Sequence, residues 1–281
     1  MPRSTRLRSL DAMRGLTVAA MIVVNNPGSW TDGYASLAHA SWHGWTLADL
    51  VFPFFLLIVG VSLDLSLASR RGAGVGRFAA SERRFSASER RFAASERRFA
   101  PIPALARRAV LLCALGLLLN AFPEFPGLGS LRVFGVLQRI GLCSFAAGVV
   151  VLATGLRGQA AVVTALLVGY WALMVLVPVP GFGAGVLTPE GNLASWIDGR
   201  WFAGHLYREG FDPEGLLSTI PAVATTLLGA LAGGFSARVG DAGSEDRRPS
   251  SRAASRWRSP VSSPECGSPS TSSSGPARTC S

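Results

Sequence analysis

At 281 residues the chain is long enough for one or two water-soluble domains, but 49% of it is apolar and 16% charged, with a mean hydropathy of +0.34, which excludes that class. Its 27 basic residues, all Arg, give a net charge of +10. They lie in connections flanking apolar runs, so the charge describes membrane topology and not a nucleic-acid-binding face.

Six apolar runs of about the length needed to cross the hydrocarbon core predict an all-α helical membrane bundle. They fall near 9–26, 47–69, 103–121, 133–154, 158–178 and 215–236. In the third, Arg107 and Arg108 must snorkel to the interface. The first follows Arg3, Arg6 and Arg8 but contains Asp11 and Arg14 and ends in Asn25-Asn26-Pro27, which reads as a retained span and not a cleaved signal peptide. Nine Arg lie in residues 70–100, and none in 27–46. The positive-inside rule therefore places both termini and the 70–100 connection in the cytoplasm, and the lipid bilayer is the chain's first partner.

Two segments stand apart. Residues 77–100 repeat with a period of seven: RFAASER, RFSASER, RFAASER, then RFA before Pro101. No Glu stands three or four residues from an Arg, so helical ion pairs are absent. The repeat reads either as a tandem-duplicated spacer or as a Phe/Arg strip on anionic headgroups. From Arg238 the chain turns to Ser, Arg, Pro and Gly, a composition that predicts a disordered tail over 237–281.

Polar residues within or beside the spans are the functional candidates. Asp11 and Arg14 share a helix face. They form an interfacial ion pair, or Arg14 faces a phosphate-bearing cofactor, with Asp64 as its other candidate partner. At the opposite end, Asn25 closes the first span and a short loop leads to His39-Ala-Ser-Trp42-His43-Gly-Trp45-Thr46, then Asp49. Thr46 is a predicted N-cap and Asp49 closes a capping box. The Trp residues fit an interfacial belt. A neutral imidazole in that loop can act as a base or a nucleophile, and Asp49 or Asn25 is placed to orient it.

Gln138 and Arg139 lie inside the fourth span and, being adjacent, point to separate partners. The last connection carries Trp196, Asp198, Trp201, His205 and Tyr207, then Asp212-Pro213-Glu214-Gly215. That ending predicts Asp212 as N-cap with Pro213 at the first helical position, while aromatics alternating with acids equally suit a sugar-binding rim. The four Cys show no metal or disulfide spacing, so no metal is expected.

Four blocks in order resemble the heparan-α-glucosaminide N-acetyltransferase family over roughly residues 6–234. They are Arg6-Leu-Arg-Ser-Leu-Asp11-Ala-Met-Arg14-Gly, His39-Ala-Ser-Trp-His-Gly-Trp-Thr-Leu-Ala-Asp49-Leu-Val-Phe-Pro53, Gly135-Val-Leu-Gln138-Arg139-Ile-Gly and Asp212-Pro-Glu-Gly215-Leu-Leu-Ser-Thr219. The resemblance implies a bacterial multi-pass enzyme of the inner membrane that moves acetyl from cytosolic acetyl-CoA to an amino sugar on the far side. His39 would be catalytic, with Asn25 and Asp49 in the same site. Arg14, Gln138 and Arg139 would serve the acetyl donor, and Trp42, Asp198, Asp212 and Glu214 would hold the acceptor.

Family members carry further helices where this chain has its polar tail. A second copy of the chain is one occupant for the faces those helices would cover. The competing readings are an amino-sugar transporter, which would accumulate unmodified sugar without acetyl-CoA, and an inactive truncated remnant. The onset of the tail directly after an apolar run also suits a shifted reading frame, as a hypothesis. Translation of the other frames beyond about codon 234 should then reveal further apolar helices, and frames that encode none would remove the explanation.

Overall fold

Only helices and closed barrels satisfy every backbone polar group inside a bilayer, and the apolar runs form helices. The computed structural model describes residues 8–26, 34–78, 98–122, 127, 129–208 and 210–246. Its named helices are α1 (Arg8–Asn25), α2 (Leu47–Phe78), α3 (Ile102–Asn120), α4 (Val136–Ala153), α5 (Leu156–Leu176), α6 (Leu193–Trp201) and α7 (Thr219–Asp246). Two isolated bridges, Val179 with Gly183 and Arg208 with Phe211, are the β-type pairings among the described residues. The chain is a helical membrane bundle.

Among the described residues, five helices are long and apolar enough to cross a membrane: Leu47–Ala68, Ile102–Asn120, Val136–Ala153, Leu156–Leu176 and Thr219–Ser236. The first expected span differs. Its run does form α1, packed along α2, but Arg8, Asp11 and Arg14 crowd its first two turns and shorten the apolar stretch. The expected last span also begins later, at Thr219 rather than 215, because residues 212–218 form turns instead. Backbone hydrogen bonding does not stop where hydropathy falls: α2 continues to Phe78 and α7 to Asp246. The first ten residues of the tail expected to be disordered are therefore helical. The rest of the tail, and residues 79–97 of the repeat, lie outside the described residues.

The core is built around α4. Ala147, Val151 and Leu152 pack with Leu63 and Leu67 of α2, Val163 of α5 and Ala224, Leu227 and Ala230 of α7. A second cluster joins Ile140 and Cys143 to Leu56 and Ala222. Helices α3 and α5 bury much less of themselves. They present Val110, Leu111, Leu115, Leu118 and Leu119, and Leu167, Val168, Trp171 and Leu176, as exposed apolar faces, as lipid-facing helices must.

Helices α2 and α7 touch through glycines. A Cβ at Gly60 would be driven into the Thr226 carbonyl, and one at Gly229 into the Leu57 carbonyl. Lipid tails are as apolar as Leu, so burial drives helix association little in a membrane, and close backbone approach takes its place. Gly229→Leu should therefore cost about 3 kcal/mol by overpacking and lower the melting temperature in detergent. Gly169→Ala is the control, since a Cβ there meets nothing within 4 Å. Equal melting of the two variants would refute the glycine contact.

Candidate active site

Three connections meet at one end of the bundle, represented by residues 34–46, 129–135, and 177–208 with 210–218. The 34–46 loop is tied inward by its own side chains. Thr46 Oγ1 donates to the Ala38 carbonyl at 2.8 Å. Asp49, in the first turn of α2, reaches back to accept from the backbone N–H of Thr46 at 3.0 Å and of Ala40 at 3.1 Å. Half of the expected capping box thus forms: the carboxylate caps, while the threonine hydroxyl turns to the loop. Trp42 pins the loop to the last connection, its Nε1–H donating to the Leu187 carbonyl at 2.7 Å. Its ring meets Phe211 edge to face, with centroids 5.2 Å apart.

Within this loop His39 Nδ1 lies 2.7 Å from Asp49 Oδ1. An ionised carboxylate can only accept, so the ring proton sits on Nδ1 and the Nε2 lone pair is left for chemistry. The imidazole is about half exposed. Of the two residues expected to orient it, Asp49 makes the bond. Asn25 is exposed at the last position of α1.

The second half of the site is a charge cluster at the start of α4. Asn120, the last residue of α3, donates to the carbonyls of Arg132 and Phe134 at 2.9 and 3.1 Å. His205 Nδ1 donates to the Leu131 carbonyl at 2.8 Å. So held, Arg132 grips Asp212 with two bonds, Nε to Oδ2 at 2.9 Å and Nη2 to Oδ1 at 2.7 Å, and its Nη2 also lies 2.5 Å from Glu214. Its guanidinium covers the Tyr207 ring at 4.8 Å. Burial favours neutral Arg132, but the bond to Asp212 and the charges of Asp212 and Glu214 outweigh it and hold its pKa above the ordinary value.

Asp212 is fully buried, and the backbone N–H groups of Tyr207 and Glu214 complete its four bonds, each at 2.9 Å. It is not the N-cap expected of it: its partners lie in the turn and on Arg132, and α7 begins seven residues later. Arg132 is the residue that sequence reasoning missed. The available signal was the excess of acid in 198–214, which a cation from another connection had to balance.

Arg139 enters from below. Its Nη2 donates to the carbonyls of Pro213 at 2.9 Å and Gly215 at 3.3 Å and to Ser218 Oγ, while its buried Nε has no partner among the described residues. Gln138 faces the other way, against Gly116 of α3, so the expected divergence of the two side chains is observed. Asp198 sits on α6, whose N-cap Asn192 accepts from Ser195 N at 2.8 Å. Asp198 is 1% exposed; its Oδ1 accepts from Leu216 N at 3.0 Å and its Oδ2 lies against Gly215, where no side chain would fit. Burial raises its pKa and the Asp212 charge adds to this, against the lowering by the Leu216 bond and Arg139.

Two adjoining hollows share Trp42, Ser195 and Phe211. An outer cleft of about 700 Å³ is also lined by Glu190, Trp196, Arg200 and Arg208. An inner cavity of about 290 Å³ is lined by Tyr170, Asn192, Asp198, Asp212 and Ser218 among others. The structure thus brings Trp42, Asp198, Asp212, Glu214 and Arg139 together at one end, with the His39–Asp49 pair on the loop that carries Trp42. It does not bring Arg14 there. That residue pairs with Asp11 at 3.6 Å, eleven residues and roughly 16 Å along α1 from Asn25. No group of His, Cys, Asp and Glu among the described residues could hold a metal ion.

Breaking a buried pair leaves an uncompensated charge. Arg132→Met should cost about 3–5 kcal/mol, and adding Asp212→Asn, which keeps the acceptor and removes the charge, should recover part of it. Melting temperatures of the single and double variants would show this coupling; simple additivity would contradict it.

Comparison with known proteins sets this geometry in a family. The sequence model described as heparan-alpha-glucosaminide N-acetyltransferase, catalytic, matches residues 6–256. The human heparan-alpha-glucosaminide N-acetyltransferase is 31% identical over 279 residues, covering 81% of this chain and 38% of its own length. The mouse protein of the same name is 28% identical over 281 residues, covering 82% of this chain and 39% of its own length. This chain therefore spans about two fifths of the curated relatives it matches. With the motif-bearing loop, Arg132, the buried Arg139 and the membrane-spanning helices all inside the matched region, the chain belongs to the heparan-alpha-glucosaminide N-acetyltransferase catalytic family.

Proposed function

We propose that the protein is a membrane acetyltransferase that moves an acetyl group from acetyl-CoA to the amino group of a glucosamine-type sugar, with His39 as the catalytic residue. The observation that carries this reading is the 2.7 Å contact of His39 Nδ1 with Asp49 Oδ1, which leaves Nε2 as the reactive nitrogen. Asp49 is itself held by Ala40 N and Thr46 N, so the ring is oriented by a carboxylate that is tied to its own loop. As a nucleophile, Nε2 would take the acetyl carbon and expel the CoA thiolate. As a base, it would take a proton from the amine while the nitrogen attacks the thioester.

The acceptor belongs in the paired hollows, where Trp42 supplies an apolar face for a sugar ring and Asp198 supplies negative charge for its ammonium, with Glu214 adding to that charge from its place on Arg132. Asp212 supports that site from behind. Arg139 shapes the 213–218 turns, and Gln138 fixes α4 against α3. Asn25 completes the His39 site. Acetyl-CoA enters from the cytoplasm, where Arg14 and the Arg-rich 70–100 connection meet its phosphates. This places the His39 loop on the far side, both termini in the cytoplasm and the chain in a bacterial inner membrane.

Membranes containing the full chain, given labelled acetyl-CoA and glucosamine, should form labelled N-acetylglucosamine. His39→Ala at matched expression should reduce this to background. Asp49→Asn, which keeps the ring in place with a weaker partner, should lower kcat by about 10²-fold. Equal background signal from the wild type and His39→Ala would remove the reading for this acceptor.

A further inference from the structure

Three of the acids at the loop-bearing end, Asp198, Asp212 and Glu214, differ in how much hydrogen-bonding capacity each has left. Asp212 has none to offer a ligand: Arg132, Tyr207 N and Glu214 N take up both of its oxygens. Glu214 is partly exposed and engages Arg132 through Oε2. Asp198 is buried like Asp212, yet it accepts one hydrogen bond, from Leu216 N, and forms no ion pair among the described residues. Its Oδ2 rests on the bare Cα of Gly215, and the residue lines the inner cavity with Trp42, Asn192 and Ser218.

A carboxylate taken out of water without a cation is costly. Two arginines stand nearby, but both are turned to other partners: Arg132 to Asp212 and Glu214, Arg139 to Pro213, Gly215 and Ser218. The cavity that Asp198 faces, about 290 Å³, is at the small end of the roughly 300–1,000 Å³ range of ligand pockets, a size for one small polar unit. Resting on the acetyl-transfer reading, we infer that Asp198 is the general base that takes the first proton from the acceptor's ammonium group in the inner cavity.

An ammonium nitrogen has no lone pair and cannot attack an acyl carbon. In the step assigned here, the acceptor R–NH3+ passes one proton to the Asp198 carboxylate, giving R–NH2 and a carboxylic acid. The nitrogen lone pair then forms the C–N bond to the acetyl carbon. The bond from that carbon to its carrier, the CoA sulfur or the His39 nitrogen, breaks, and the second amine proton leaves with the carrier. Asp198 returns its proton to solvent through the open outer cleft. The raised proton affinity of Asp198 suits this task, since a stronger base accepts an ammonium proton more readily. The charged and titratable groups acting on it are Asp212, Arg139 and Tyr170.

The test is the pH dependence of kcat/KM for glucosamine in Asp198→Asn, which keeps the acceptor for Leu216 N and removes the base. Near neutral pH the variant should be about 10²-fold slower than wild type. The deficit should close as pH rises and the acceptor arrives already neutral. Asp198→Glu keeps the carboxylate and should follow the wild-type profile. A constant deficit at every pH, no deficit at all, or a profile for Asp198→Glu that rises like that of Asp198→Asn would overturn the role while leaving the wild-type reaction standing. Wild-type membranes that transfer no more acetyl than His39→Ala would instead remove the reaction, and this role with it.

Discussion

The pairing of Arg132 with Asp212 is the constraint on which the loop-bearing end is organised. A carboxylate with no exposure to water carries a desolvation penalty of several kcal/mol even after relaxation, and only near-complete bonding offsets it. Asp212 meets that demand with two bonds from one planar guanidinium and two from the backbone of its own segment. The fork geometry of arginine matches a carboxylate in one orientation, so the pair fixes direction as well as distance. Residues 207–208 and 210–214 can then follow few paths. Once they are placed, Gly215 lies under Asp198 and the Pro213 and Gly215 carbonyls over Arg139.

This dense polar end rests on a bundle assembled by different means. Buried small residues, among them Ala147, Ala222, Ala224 and Ala230, let the helices approach closely, and packing replaces the hydrophobic drive that lipid cannot supply. Where irregular backbone at 34–46, 177–208 and 210–218 is turned away from water, its polar groups need partners within the protein. Thr46, Asp49, Trp42, Asn120, Asn192 and His205 provide them. Several residues with a motif-like appearance in the sequence are thus also the loops' structural supports. A substitution at Trp42 or Asn192 would disturb the frame and the cavity wall together.

Five of the six expected spans and the His39–Asp49 pair were legible in the sequence because both depend on local or periodic signals. Hydropathy over about twenty residues marks a helix that must cross lipid, and a carboxylate three residues beyond a capping threonine folds back on its own loop whatever the tertiary context. The Arg132–Asp212 pair is different. Its partners are eighty residues apart in the chain, and no periodicity couples them. The Asp212-Pro213 dipeptide carried a strong local signal for a helix start, and the tertiary demand of Arg132 overrode it. The α6 helix was hidden for a related reason: nine residues containing two Trp, an Asp and an Arg read equally well as a sugar-binding rim.

The division of the three acids also constrains how such a site could change specificity. Asp212 is committed to Arg132, so an acceptor lacking the amine would leave that pair untouched and the fold intact. Asp198 has no side-chain cation of its own, and a bound acceptor without a positive group would leave its carboxylate buried and uncompensated. On the proposed reading, discrimination for an amine therefore comes less from attraction at the rim than from the cost of leaving Asp198 unmatched, because an unpaired buried polar group is penalised more heavily than a satisfied one is rewarded. The outer cleft is larger and carries Arg200 and Arg208 opposite one acid, Glu190. It imposes no such penalty, since water can replace whatever leaves it. Selectivity for the reacting unit and tolerance for what is attached to it then follow from one difference, the depth at which each hollow holds its charges.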